Sequence, residues 1–86
     1  MPELCRFRGI RIIIRFNDHP PPHIHAKHGD SEASVDIATL EVSDGELPVR
    51  IERRVIAFVQ SHQRELQDAW DLIEQGQNPG KIEPLD

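Results

Sequence analysis

Four of the five histidines and three of the seven prolines fall within twelve residues, Asn17-Asp18-His19-Pro20-Pro21-Pro22-His23-Ile24-His25-Ala26-Lys27-His28. Imidazole is a good ligand for Zn²⁺, Ni²⁺ or Cu²⁺. If His23 and His25 lie on a strand, both side chains leave the same face. Asp36 is then expected opposite His23, as a third ligand or as an outer acceptor for a ligating ring. His19 would reach across from the prolines, whereas His28 has the wrong parity and turns toward the core side or the hairpin end. The same residues suit a second chemistry. A His23–Asp36 couple could orient an imidazole for general-base work, with Arg11 and Arg15 on that face holding a phosphate, as in a small RNase-like hydrolase. No nucleophile is marked, because Cys5 precedes the strand and the serines lack a motif. The plain alternative is a solvated polar face, with His23 against Asp36 and His25 against Ser34.

These side chains need strands to carry them. Arg6 to Phe16 reads as one strand, with Ile10, Ile12, Ile14 and Phe16 facing the core and Arg11, Ile13 and Arg15 on the other face. Three successive prolines favour a stiff polyproline II connector. His23–His28 and Glu32–Ile37 read as a hairpin around Gly29-Asp30. That loop pairs His28 with Ser31, Lys27 with Glu32, Ala26 with Ala33, His25 with Ser34, Ile24 with Val35 and His23 with Asp36. Every apolar residue meets an apolar one, and a one-residue slip would lose that match.

Residues 39–47 read as a polar connection around a Ser43-Asp44-Gly45 turn, with Leu40 and Val42 in a short fourth strand. Pro48 suits a helix start. Ile51, Val55, Phe58 and Val59 follow helical spacing, and His62, Leu66, Ala69, Trp70 and Ile73 continue it. Two helices, about 48–60 and 62–75, are favoured over one bent helix, with Gly76 as the C-terminal cap. Arg50, Arg53 and Arg54 form a small basic patch that could contact phosphates; a solvated face with local pairs such as Glu46–Arg50 is the commoner outcome. The expected core is Ile10, Ile12, Ile14, Phe16, Ile24, Val35, Ile37, Val55, Phe58, Val59, Leu66, Trp70 and Ile73. Ile82 and Leu85 of the tail would pin to it.

The chain has 86 residues, which fits a single domain spanning residues 1–86. The fold class expected is α+β: a three- or four-stranded antiparallel sheet with two C-terminal helices packed on one face. Net charge is −5. Residues 1–30 carry five Lys/Arg against three Asp/Glu, and residues 31–86 carry five against twelve. An acidic balance disfavours a free nucleic-acid binder, leaving only a local basic face or a partner for that role. One cysteine excludes an intramolecular disulfide and fits a reducing compartment. No signal-peptide layout opens the chain, and the longest apolar run, Val55–Val59, is far too short for a membrane span. A cytoplasmic protein is expected.

Phe16-Asn17-Asp18-His19-Pro20-Pro21-Pro22-His23-Ile24-His25-Ala26 resembles the signature of a bacterial family of small proteins, domain of unknown function 4160. The resemblance extends through Glu32–Ile37, Glu46-Leu47-Pro48, Trp70 and the tail Lys81–Leu85. Having no assigned activity, the family implies no catalytic residue. It does imply one half of a paired operon, of toxin–antitoxin-like or regulatory type.

The function expected first is therefore a small interaction or regulatory module acting with a partner protein, rather than an enzyme. Its functional face would comprise Arg11, Arg15, His19, His23, His25, Lys27 and Asp36. Open sheet edges would accept a partner's strand or a second copy of the chain. No cofactor is required by that reading. The alternative is a metal-binding protein or hydrolase in which His23 and His25 hold Zn²⁺ or another divalent transition metal.

Overall fold

A computed structural model describes residues 3–84. Five strands come first: β1 (Glu3–Phe7), β2 (Ile10–Ile13), β3 (His23–His28), β4 (Ser31–Asp36) and β5 (Val42–Glu46). Two helices follow, α1 (Val49–Ser61) and α2 (Gln63–Glu74). The sheet runs β1-β2-β3-β4-β5 with every neighbouring pair antiparallel. The architecture is thus the expected α+β, with five strands where three or four were expected.

The extra strand comes from a turn hidden in the isoleucine-rich segment. Arg8 and Gly9 both take positive φ, 49° and 78°. Two such residues make the tight hairpin turn whose twist matches antiparallel strands. The segment therefore folds back on itself, and Phe7 pairs with Ile10. β3 and β4 pair in the register anticipated, from His23 with Asp36 to His28 with Ser31.

Cross-strand neighbours share a face. Ile12, Ala26 and Ala33 stand in one row and Ile24 and Val35 in another. Together with Leu4, Ile10, Ile14 and Ile37 they join Val55, Phe58, Val59, Leu66, Trp70 and Ile73 in one buried cluster. Cys5, Leu47 and Ala69 belong to it as well and, like Leu4, lie beyond the core anticipated, whereas Ile82 of the tail joins it as expected. Phe16 does not: it is 44 % exposed. β2 ends at Ile13, and Asn17 reverses the chain with φ 65°, a conformation its short amide tolerates. Strand alternation therefore stops applying before Phe16. Leu85 lies outside the described residues.

Ser43-Asp44-Gly45 is not a turn but part of β5. The turn comes earlier. Asp36 Oδ1 accepts the Ala38 and Thr39 amides at 2.8 and 2.9 Å, and Leu40 closes the turn with φ 67°. This is the local carboxylate-to-backbone pattern that favours Asp in turns. The ladder resumes at β5 through an irregular step between Ser34 and Val35.

The two helices separate at His62, without Gly or Pro. Its amide bonds both the Phe58 and Val59 carbonyls. Its buried ring lies within hydrogen-bond distance of the Phe58 carbonyl at 2.9 Å and the Glu83 carbonyl at 3.1 Å. Gly76, at φ 76°, ends α2, where the Gln77 amide donates to the Leu72 carbonyl. No helix among the described residues is long and apolar enough to cross a membrane.

Candidate metal centre

The outer face of the sheet carries the polar cross-strand row His25–Ser34, flanked by Lys27–Glu32. At its end the connector returns from β2. The turn at Phe16-Asn17 aims Asp18 back toward β3. Asp18 Oδ2 thereby lies 2.8 Å from His25 Nε2 and 3.4 Å from His23 Nε2. One donor atom from each of Asp18, His23 and His25 lies within 4.8 Å of the others. The side chains are 20, 16 and 8 % exposed respectively. The site is at the surface but held on all sides.

Each ring is oriented through its second nitrogen. His23 Nδ1 sits 2.8 Å from the Pro21 carbonyl oxygen. A carbonyl only accepts, so Nδ1 carries the proton and, in the neutral ring, Nε2 presents a lone pair toward Asp18. The His25 ring has a partner for either tautomer. Its Nδ1 is 3.2 Å from Ser34 Oγ, 3.4 Å from an Arg15 nitrogen and 3.6 Å from Glu32 Oε2. The Ser34 hydroxyl can donate to Nδ1 or accept from it. His25 can therefore donate from Nε2 to Asp18, or shift the proton to Nδ1 and free the Nε2 lone pair. Ligating histidines characteristically hold a carbonyl or carboxylate on the far nitrogen, which fixes the ring. His23 meets His25 edge-on, with centroids 5.0 Å apart, and its ring lies 5.3 Å from that of Trp70.

The other anticipated residues have different work. Asp36 faces His23 in the ladder, but its carboxylate closes the following turn, so the carboxylate of the cluster is Asp18. His19 is exposed on the connector and is not part of the group. Arg11 Nε is 2.7 Å from Glu3 Oε1, Arg15 is 2.8 Å from Glu32 Oε2, and Lys27 Nζ is 3.8 Å from Glu32 Oε1. The basic sheet face is thus matched by carboxylates. Two arginines, Arg6 and Arg11, hold the Glu3 carboxyl well below its usual range, at about 2. Burial pushes the Cys5 thiol up, away from the thiolate a nucleophile needs.

Ser34, His25 and Asp18 also form a hydroxyl–imidazole–carboxylate line. Ser34 is only 8 % exposed and is the cross-strand neighbour of His25. The line fits ring orientation better than acyl transfer.

Residues 9–71 match the family described as domain of unknown function (DUF4160). The chain belongs to the DUF4160 family. The match takes in the turn at Gly9, the whole Asp18–His25 cluster and Trp70. No curated protein and no solved structure matches the chain.

Strand parity points to His23 and His25 as ligands but not to Asp18. No periodic signal marks Asp18, because the return of the loop, and not strand parity, places its carboxylate.

Proposed function

We propose that this chain is a divalent transition-metal-binding protein whose ligands are Asp18, His23 and His25. The observation that carries the reading is the convergence of three donor groups around one point, with His23 held through its Nδ1 by a backbone carbonyl. A tetrahedral Zn²⁺ with bonds of about 2.0–2.1 Å would set its donor atoms roughly 3.4 Å apart. The His23–Asp18 separation is already 3.4 Å, and the His25–Asp18 separation of 2.8 Å opens by about half an ångström when an ion replaces the shared proton.

Three protein ligands leave at least one position for water or for a group from another molecule. That open position joins the metal reading to an interaction role. Phe16 is exposed and lies two residues from Asp18 in sequence, offering a partner an apolar contact. A regulatory module whose docking depends on metal is consistent with both features, and with the paired-operon setting that the family resemblance implies.

Calorimetric titration of the purified chain with Zn²⁺ and with Ni²⁺ tests the reading. One saturating equivalent is expected, and His25→Ala should abolish it. Heat without stoichiometry, unchanged in that variant, would refute the site.

A further inference from the structure

The two edges of the sheet differ. At β1 the tail lies along the strand: the Ile82 amide donates to the Leu4 carbonyl at 2.7 Å, and Lys81 Nζ donates to the Glu3 carbonyl at 2.8 Å. At the opposite edge β5 pairs with β4 alone. An edge strand left this way presents unpaired backbone groups along its outer side. Four of its five residues, Ser43 to Glu46, are exposed.

The cross-strand rows on the outer face indicate what would stand beyond that edge. One row runs Arg11, Lys27, Glu32, Glu46, and the next runs Ile13, His25, Ser34, Asp44. Glu32 is matched by Arg15 and Lys27. Glu46 stands directly opposite Glu32, a like-charge pairing that destabilises a sheet. Among the described residues no cation pairs with Glu46 or with Asp44. Between them, Gly45 ends the apolar row Ile12, Ala26, Ala33 without a side chain. The next position in each row therefore suits a cation, an apolar residue and a cation in turn. Beside the end of β5, an open groove of about 420 Å³ carries Glu52 and Val49, the latter 64 % exposed, next to Glu46.

We propose that β5 is a docking edge for a basic, extended segment of a partner protein. That segment adds as a further strand, with Lys or Arg at alternate positions against Asp44 and Glu46 and an apolar residue between them. Strand addition of this kind takes affinity from main-chain hydrogen bonds and specificity from alternate side chains. A second copy of the chain does not fit, because pairing β5 with itself sets carboxylate against carboxylate. The irregular step between Ser34 and Val35 confines the regular ladder to Asp44, Gly45 and Glu46, so the recognised motif is short. The edge stands clear of the metal cluster, since Asp44 lies two strand spacings from His25 in the same row, about 10 Å.

Calorimetry with the full chain and a chelator tests this, using short capped peptides centred on Lys-Val-Lys or on Glu-Val-Glu. The Lys-Val-Lys peptide should bind with 1:1 stoichiometry and, in NMR spectra of the labelled chain, shift the amides of β5. The same peptide N-methylated at its central amides keeps every charge but loses its donors, so it should bind about tenfold more weakly. Asp44→Lys combined with Glu46→Lys should reverse the preference, taking Glu-Val-Glu about tenfold more tightly than Lys-Val-Lys. Both positions are exposed, so circular dichroism should stay unchanged. An N-methylated peptide that binds as tightly as its parent would overturn the proposal, since charge alone would then account for the binding. So would equal binding of Glu-Val-Glu to the unaltered chain, amide shifts confined to other elements, dimerisation of the chain through β5, or no saturable binding of any peptide.

Discussion

His25 Nε2 stands 2.8 Å from Asp18 Oδ2, across the proline connector that separates them in sequence. One residue comes from a loop and the other from a central strand, so their contact ties the connector to the sheet. The same carboxylate oxygen also reaches His23, making Asp18 the hub of the cluster.

Asp18 and Asp36 therefore separate ligand from scaffold. Asp18→Ala should lower Zn²⁺ affinity by at least about a hundredfold, because two remaining protein ligands are too few for a stable site. Asp36→Ala should leave affinity nearly unchanged and cost about 1 kcal/mol of stability through the lost turn hydrogen bonds. Parallel metal titrations and urea melts of the two variants check the assignment. Equal loss of affinity in both would place Asp36 back among the ligands.

The acid limb of stability should carry the mark of Glu3. Its carboxyl is lowered from 4.5 to about 2, first by the Arg6 hydrogen bond and then by that of Arg11. A group lowered in the folded state stabilises the fold above its ordinary value and loses that contribution as pH falls. The window runs from about pH 4.5 down to about 2. Glu3→Gln should narrow the stability difference from the parent across that window, as measured by denaturant unfolding at stepped pH. A constant difference through the window would mean that the arginines do not hold Glu3.

Gly45 is constrained twice. Its φ is +77°, and a Cβ there would run into the Glu32 carbonyl oxygen and stand 3.0 Å from Ala33 Cα. Both neighbours are backbone and cannot swing away. Gly45→Ala should therefore cost about 1–3 kcal/mol. An unchanged urea midpoint would show that β5 can detach from β4 at no cost.

Much of the scaffold was legible because period and pairing leave few choices. The β3–β4 register followed from Gly29-Asp30 and the match of Ile24 with Val35. The stripe favours two helices over one bent helix, but it runs on through His62 and, with no Gly or Pro there, does not mark the break. What escaped was conformation that alternation cannot encode. Arg8-Gly9 turns only because a non-glycine residue accepts positive φ, and nothing in the isoleucine run announces that. Asn17 has the same effect, exposing Phe16 and delivering Asp18. At the candidate site, His23 and His25 were legible from strand parity. Asp18 was not, because a loop residue's place depends on the path of the three prolines. Asp36 was a sound choice by register, but its carboxylate had a local alternative two residues on.

The most direct test of the metal reading is a crystal structure of the Zn²⁺-loaded chain with anomalous data collected at the zinc edge. One strong peak is expected, bonded to His23 Nε2, His25 Nε2 and an Asp18 carboxylate oxygen at about 2.0–2.2 Å from each. No peak there under stoichiometric loading, or a peak held only by exposed groups such as His19, would contradict it.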